Sequence, residues 1–176
     1  MQKKHNVLIG VACALVILAA GAAGWFYWLT AGSDQQQRGT VATQKEALHV
    51  FFPLSKTKLG RRVLEVRAEA PDRERADLIL KELKKERAVS PGVQVRDLAI
   101  GIDSTLYLNL SRNFTEKQSN GPPEIVMVYA LVNSFVTSFR DVRKVQFLVE
   151  GEAPFTVGGL VYAYQPLEFN KDLMED

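Results

Sequence analysis

The chain has 176 residues, 47% hydrophobic and 24% charged, with a formal net charge of +2. That length suits one ordinary domain plus an appendage, and that composition excludes a disordered chain. The excess basicity is confined to Lys3 and Lys4, residues 31–176 carry as many bases as acids, and the overall charge therefore gives no support for a nucleic-acid partner.

The chain opens on its one break in composition. Residues 7–29, from Val7 to Leu29, carry no charge. As a helix rising about 1.5 Å per residue, the segment reaches roughly 34 Å, enough to cross a bilayer core. Trp25, Phe26, Tyr27 and Trp28 stand at its far end, where amphipathic rings favour the membrane–water interface. With Lys3 and Lys4 at the near end, the positive-inside rule predicts a single-pass anchor in the cytoplasmic membrane and an extracytoplasmic domain. Two other assignments start from the same residues. Residues 19–24 are all alanine or glycine, as a signal-peptide cleavage site requires. Cys13 is a candidate for lipidation, but it sits inside the apolar run and not after it. All three place the folded part outside the cytoplasm. Cys13 is the only cysteine, so the exported part contains no disulfide.

The predicted organisation is a tail and anchor over 1–30, a flexible spacer over 31–46, a domain over 47–170 and a short tail over 171–176. The spacer is small and polar without a clear period. Leu48, Val50, Phe52 and Leu54 then share one face of a strand that Pro53 ends or confines to an edge. Residues 63–70 alternate again. Pro71 starts a helix, with Asp72 and Glu74 in its first turn and Lys81, Lys84, Lys85 and Arg87 filling its end. Ala76, Ile79, Leu80 and Leu83 form its apolar stripe, and residues 90–92, Ser-Pro-Gly, stop it. Leu98, Ile100 and Ile102, then Leu106, Leu108 and Leu110, alternate with mostly polar residues across a short break, which predicts a hairpin with one apolar face. Pro122 and Pro123 open a second helix running to Arg140. Ile125, Val128, Tyr129, Val132, Phe135, Val136 and Phe139 keep its period, and Asn133 and Ser134 interrupt it as a solvent-facing or capping pair. A strand over 144–149 and a short one over 160–164 complete the pattern. The order ββαββαβ predicts an α+β, two-layer sandwich: a largely antiparallel sheet with two helices on one face, beyond the N-terminal transmembrane helix.

The inventory of reactive groups is short. Gly158 and Gly159 lie between strand-like segments with no helix or lysine following, which favours a bend or bulge over a phosphate-binding loop. His5 falls in the N-terminal tail, and His49 is the only histidine beyond the anchor, so the usual zinc sets fail; a Ser-His-Asp triad would have to use His49 with a distant serine, and the sequence has no nucleophile-elbow motif. No cofactor or metal is expected. Asp97 and Asp103, at an even spacing, are the one candidate acid pair for a hydrolase.

Three segments carry a family likeness: "STLYLNLSRNF" from Ser104, "EIVMVYALVNSF" from Glu124 and "VQFLVEGEAPFTVGGL" from Val145. Leu110-Ser111 with Phe114, then Asn133-Ser134, then Glu150-Gly151-Glu152 with Thr156-Val157-Gly158 resemble, in order and spacing, the motifs of the GerM domain. The likeness covers about residues 47–166. It implies a compact α/β domain similar to the ring-building motifs of envelope assemblies, no enzymatic activity, and protein–protein assembly outside the cytoplasmic membrane. Family members in spore formers are often lipoproteins or carry two such domains, whereas this chain shows one domain and a spanning segment. The expected partners are the bilayer, through residues 7–29, and envelope proteins or further copies of the chain. The candidate interaction surface is the uncovered sheet face around Thr105, Tyr107 and Asn109, or the polar rim of the second helix at Asn133 and Ser134. An envelope glycan-binding domain or a carboxylate-dependent hydrolase is the alternative.

Overall fold

A computed structural model describes residues 44–116 and 120–175. The anchor, its flanking lysines, His5, Cys13 and the spacer up to residue 43 lie outside the described residues. No helix among the described residues is long and apolar enough to cross a membrane.

The elements follow the predicted order. Strands β1 (Lys45–Pro53) and β2 (Leu59–Arg67) precede helix α1 (Asp72–Lys85). Strands β3 (Val95–Ile100) and β4 (Thr105–Leu110), a 3₁₀ turn (Arg112–Phe114) and helix α2 (Glu124–Ser138) come next. The chain ends with β5 (Lys144–Val149), β6 (Thr156–Val157), β7 (Val161–Tyr162) and β8 (Leu167–Glu168). Pro71 and Pro123 are the N-cap residues of the two helices. The first strand begins at Lys45, within the stretch expected to be spacer.

The sheet differs from the predicted single, largely antiparallel one. The described strands form three sheets: an antiparallel ribbon β1-β2, a four-stranded sheet ordered β3-β4-β5-β8, and the small hairpin β6-β7. The β4–β5 pair is parallel, with Leu106 beside Val145 and Leu108 beside Phe147. A parallel neighbour needs a long crossover, and α2 supplies it. Leu98 and Ile100 lie opposite the buried Leu108 and Leu106, on one face as their alternation predicts, but β3 is an edge strand of its sheet: Leu98 is half-buried, Ile100 exposed, and Ile102 exposed in the turn beyond β3. Leu54 lies past the end of β1 and is exposed.

Helix α2 is the centre of the domain. Val126, Val128, Leu131, Val132 and Phe135 are fully buried, and Ala130, Asn133 and Ser134 are buried too. A helix buried on nearly every side must be close to apolar all round. Burying those five large side chains contributes on the order of 10 kcal/mol before chain entropy is subtracted. The helix packs chiefly on β1 and also meets α1, β5, β7 and β8. Ile125, expected on its inner face, is exposed at the first turn.

Two serines explain how β1 lies so close. The Phe51 amide donates to Ser134 Oγ and the His49 amide to Ser138 Oγ, each at 2.8 Å. Ser138 Oγ donates in turn to the His49 carbonyl. Four helix residues rise about 6 Å and two strand residues about 6.7 Å, so hydroxyls at i and i+4 match alternate amides of a strand edge. Opposite Phe52 on β2 stands Gly60, where a Cβ would come within 3.0 Å of the Phe52 ring. The Arg62 guanidinium covers that ring at 5.0 Å.

The C-terminal segment is a strap. Residues of β8 pair with β5, and Asn133 then clasps Asn170, its Nδ2 donating to the Asn170 carbonyl and its Oδ1 accepting from the Asn170 amide. Phe169 packs edge-on against Phe51. Finally the Leu59 amide donates to the Leu173 carbonyl, and the Glu175 amide to the Leu59 carbonyl. The expected short tail over 171–176 thus includes residues paired to β2.

Candidate functional site

The glycine pair lies against the start of α2. Gly158 has φ +62° and Gly159 φ +108°, the left-handed region in which side chains other than glycine are strained. This turn aims the amides of Leu160 and Val161 at one carboxylate, that of Glu124, the first residue of α2. Leu160 N lies 3.1 Å from both Glu124 oxygens, and Val161 N lies 2.5 Å from Oε1. Two convergent amides are what an anion-binding loop offers. Here the anion is the protein's own side chain, which also satisfies the helix preference for negative charge in its first turn. The loop therefore holds β6-β7 to α2. A Cβ at Gly158 would sit 2.8 Å from Glu124 Oε2 and would push the carboxylate off the two amides, in addition to the strain of a side chain at this φ.

Beside the turn is an open cavity of about 380 Å³, with Phe114, Pro123, Glu124, Met127, Gly158 and Leu160 among its lining residues. Leu160 lines this cavity, and the segment around the hairpin exposes further large side chains. Phe155 is 71% and Leu160 85% exposed, with Tyr162 and Tyr164 also exposed. Phe155 meets Tyr162 edge-to-face at 5.3 Å, and Tyr162 meets Tyr164 at 6.4 Å. The family motif alone did not single out these rings. Their signal is the run of aromatic residues 155, 162 and 164 in so short a strand pair.

The expected interaction residues do not form one surface. On β4, Tyr107 is exposed and Asn109 half-exposed, as period-2 alternation requires. Asn109 Oδ1 is committed to the Gly151 amide of the neighbouring turn. Thr105 is buried, its hydroxyl donating to Asp103 Oδ2 at 2.7 Å. Asn133 and Ser134, expected at a polar rim, are fully buried. They face the strap and β1, whose backbone groups take up their polarity. These three are structural hydrogen-bonding groups and not surface.

The acid pair does not form either. Asp97 lies within β3 opposite Asn109, whereas Asp103 lies in the turn beyond Ile100. The strand residues between them alone span about 10 Å. The Asp97 carboxylate accepts from the Leu98 amide at 2.8 Å. Asp103 is held below the usual carboxylate range by the Thr105 hydroxyl first, and also by Lys144, whose Nζ lies 3.2 Å away. His49 sits in β1 with Nδ1 buried and without a hydrogen-bond partner among the described residues. No group of three or more His, Cys, Asp or Glu residues suited to a metal ion occurs among the described residues.

Comparison with known proteins follows the same architecture. No curated protein matches the chain. The tandem GerMN domains of the sporulation protein GerM from Bacillus subtilis are similar in structure, with TM-score 0.55 and 15% identity, over 71% of this chain and 46% of that one. The chain thus spans about half the length of that tandem structure. The first GerMN domain of the same protein aligns with TM-score 0.46 and 13% identity, over 73% of this chain and 98% of that one. At these identities the likeness is one of fold, and only the tandem alignment is close enough to show it. The family model Germane, described as sporulation and spore germination, matches residues 26–154. With most of its length matched, the chain belongs to the Germane family, the GerM-like domain that its own motifs resemble.

Proposed function

We propose that the chain is a membrane-anchored, extracytoplasmic module of the bacterial cell envelope that works by binding proteins and carries out no catalysis. The observation that carries this proposal is how the domain uses its polar and apolar groups. The Asp103 and Glu124 carboxylates are bound by the chain's own hydroxyl, lysine and backbone groups. Large apolar side chains, meanwhile, stand out from β6-β7 into solvent. Contiguous exposed apolar surface marks interaction sites in soluble domains. Membership of a sporulation and spore germination family supports an envelope setting. The uncharged segment over residues 7–29 with its aromatic end supports the anchor.

Crosslinking in intact membranes followed by affinity capture of the full chain tests this proposal. Specific envelope proteins recovered with the wild type, and reduced with Phe155→Ser and Leu160→Ser, are the expected result. Wall-polymer turnover that disappears in Asp97→Asn and Asp103→Asn would establish the hydrolase alternative instead. The row of exposed rings at Phe155, Tyr162 and Tyr164 favours one second reading, a glycan-binding face without chemistry. A thermal shift on adding soluble wall fragments, abolished by Tyr162→Ala, would support it.

A further inference from the structure

The strand edges of this domain are unequally protected. On the outer edge of β1, the His49 and Phe51 amides are bound to Ser138 and Ser134. At β3, Arg73 donates to the Val95 and Arg96 carbonyls, and the Asp97 side chain accepts from the Leu98 amide. The outer side of β5 is partly covered by β8, and its Gln146 side chain is tied to the Ala163 carbonyl. The outer edge of β2 is covered at its two ends, where Leu59 meets residues 173 and 175 and where the Arg67 carbonyl accepts from the Ala70 amide. Backbone groups alternate sides along a strand, so Arg61, Val63 and Glu65 point outward as Leu59 does. Among the described residues, nothing bonds their outward N–H and C=O groups. An open edge of this kind is a template for another strand.

The side chains along this edge select the strand. Arg61, Val63 and Glu65 are exposed, Val63 by 50%. We propose that β2 pairs antiparallel with β2 of a second copy of this chain, about a two-fold axis at Val63. The proposal rests on the reading of the domain as an interaction module and names its partner. In this register Val63 faces Val63, and Arg61 of each copy faces Glu65 of the other, giving about six new backbone hydrogen bonds and two opposite-charge pairs. The neighbouring registers lack this complementarity. Sliding one way sets Arg61 opposite Arg67 of the second copy, and sliding the other way sets Glu65 opposite Leu59. The favoured register also brings Arg67 of the second copy to Leu59, where the strap already sits. The strap therefore competes at that step, limits the ladder to residues 61–65 and keeps association weak and concentration-dependent.

Sedimentation of the full chain in mild detergent, across a concentration series, tests the pairing. The wild type is expected to pass from monomer to dimer. Arg61→Glu and Glu65→Lys each replace both opposite-charge pairs with like-charge pairs, and each is expected to weaken the dimer about tenfold or more. An equimolar mixture of the two variants restores opposite charges at both contacts, so a heterodimer should form. The doubly swapped chain should dimerise with itself. Val63→Pro removes an outward N–H without touching the β1 ladder, and loss of its dimer supports the pairing even if a charge variant folds poorly. A wild type that stays monomeric, single variants that dimerise like the wild type, or a mixture that fails to recover would each overturn the pairing. Recovery of envelope partners in the crosslinking experiment does not depend on this dimer, so the two proposals fail separately.

Discussion

Ser134 and Ser138 do the work of a neighbouring strand for β1. Replacing Ser134 with alanine leaves the buried Phe51 amide unpaired, which costs about 1–3 kcal/mol. Denaturant unfolding of Ser134→Ala should show that loss, whereas Thr137→Ala, at an exposed site on the same helix, should stay within about 0.5 kcal/mol. Acid titration probes a second set of residues. The Lys85 ammonium and the Arg62 guanidinium hold Glu82 below the ordinary carboxylate range, Arg75 does the same for Glu46, and the Thr105 hydroxyl does so for Asp103. A carboxylate lowered in the folded state stabilises it at neutral pH, and that contribution is lost as pH falls from the ordinary carboxylate range through the lowered folded value. Thermal melts should therefore hold steady from neutral pH down to that range and then decline. Glu82→Gln should melt lower at neutral pH and show a shallower decline. The polar roles of these residues were hard to read beforehand. Periodicity marks Asn133 and Ser134 as interruptions of an apolar helix, but it carries no information on the backbone groups waiting across the fold. The i, i+4 spacing of Ser134 and Ser138 was the available signal.

Elements were more legible than their pairing. Alternation locates β1, β2 and β4, because burial on one face leaves a local imprint; an apolar-rich block marks β5, and Pro71 and Pro123 mark the helix starts. The parallel β4–β5 pair, the bulge in β3 and the division into three sheets depend on contacts between distant segments and leave no such imprint. The glycine turn is a bend, as its strand-like flanks predict, but its hold on Glu124, more than thirty residues earlier in the chain, leaves no local signal. Gly158→Ala forces a Cβ onto Glu124 and a side chain into the left-handed region, and should cost about 1 kcal/mol or more. Faster amide exchange at Leu160 and Val161 would register release of the hairpin, with α2 amides unaffected. The strap makes a larger demand. Removing residues 167–176 strips β8 from β5, unpairs the buried Asn133 and uncovers Leu59. That truncation should lower the melting temperature well beyond what Asn133→Ala alone does.

At the scale of the whole molecule, the proposed function requires a membrane tether for the Germane-family domain and a partner for it at the envelope. The domain's centre is α2, and Val132→Asp there, a charge at a fully buried site, should prevent folding altogether. Its surface carries two features suited to contact, the rings of β6-β7 and the open edge of β2. The assembly reading drew on the uncharged N-terminal segment and the family likeness; neither contact feature was evident before the strands were paired. The most direct test uses a membrane-impermeant, amine-reactive crosslinker on intact cells whose outer barrier, where present, has been opened. On the proposed topology, lysines such as Lys45 and Lys171 face outward and should be modified without lysis and joined to another envelope protein or to a second copy. Modification of those lysines only after the cytoplasmic membrane is broken would contradict the account.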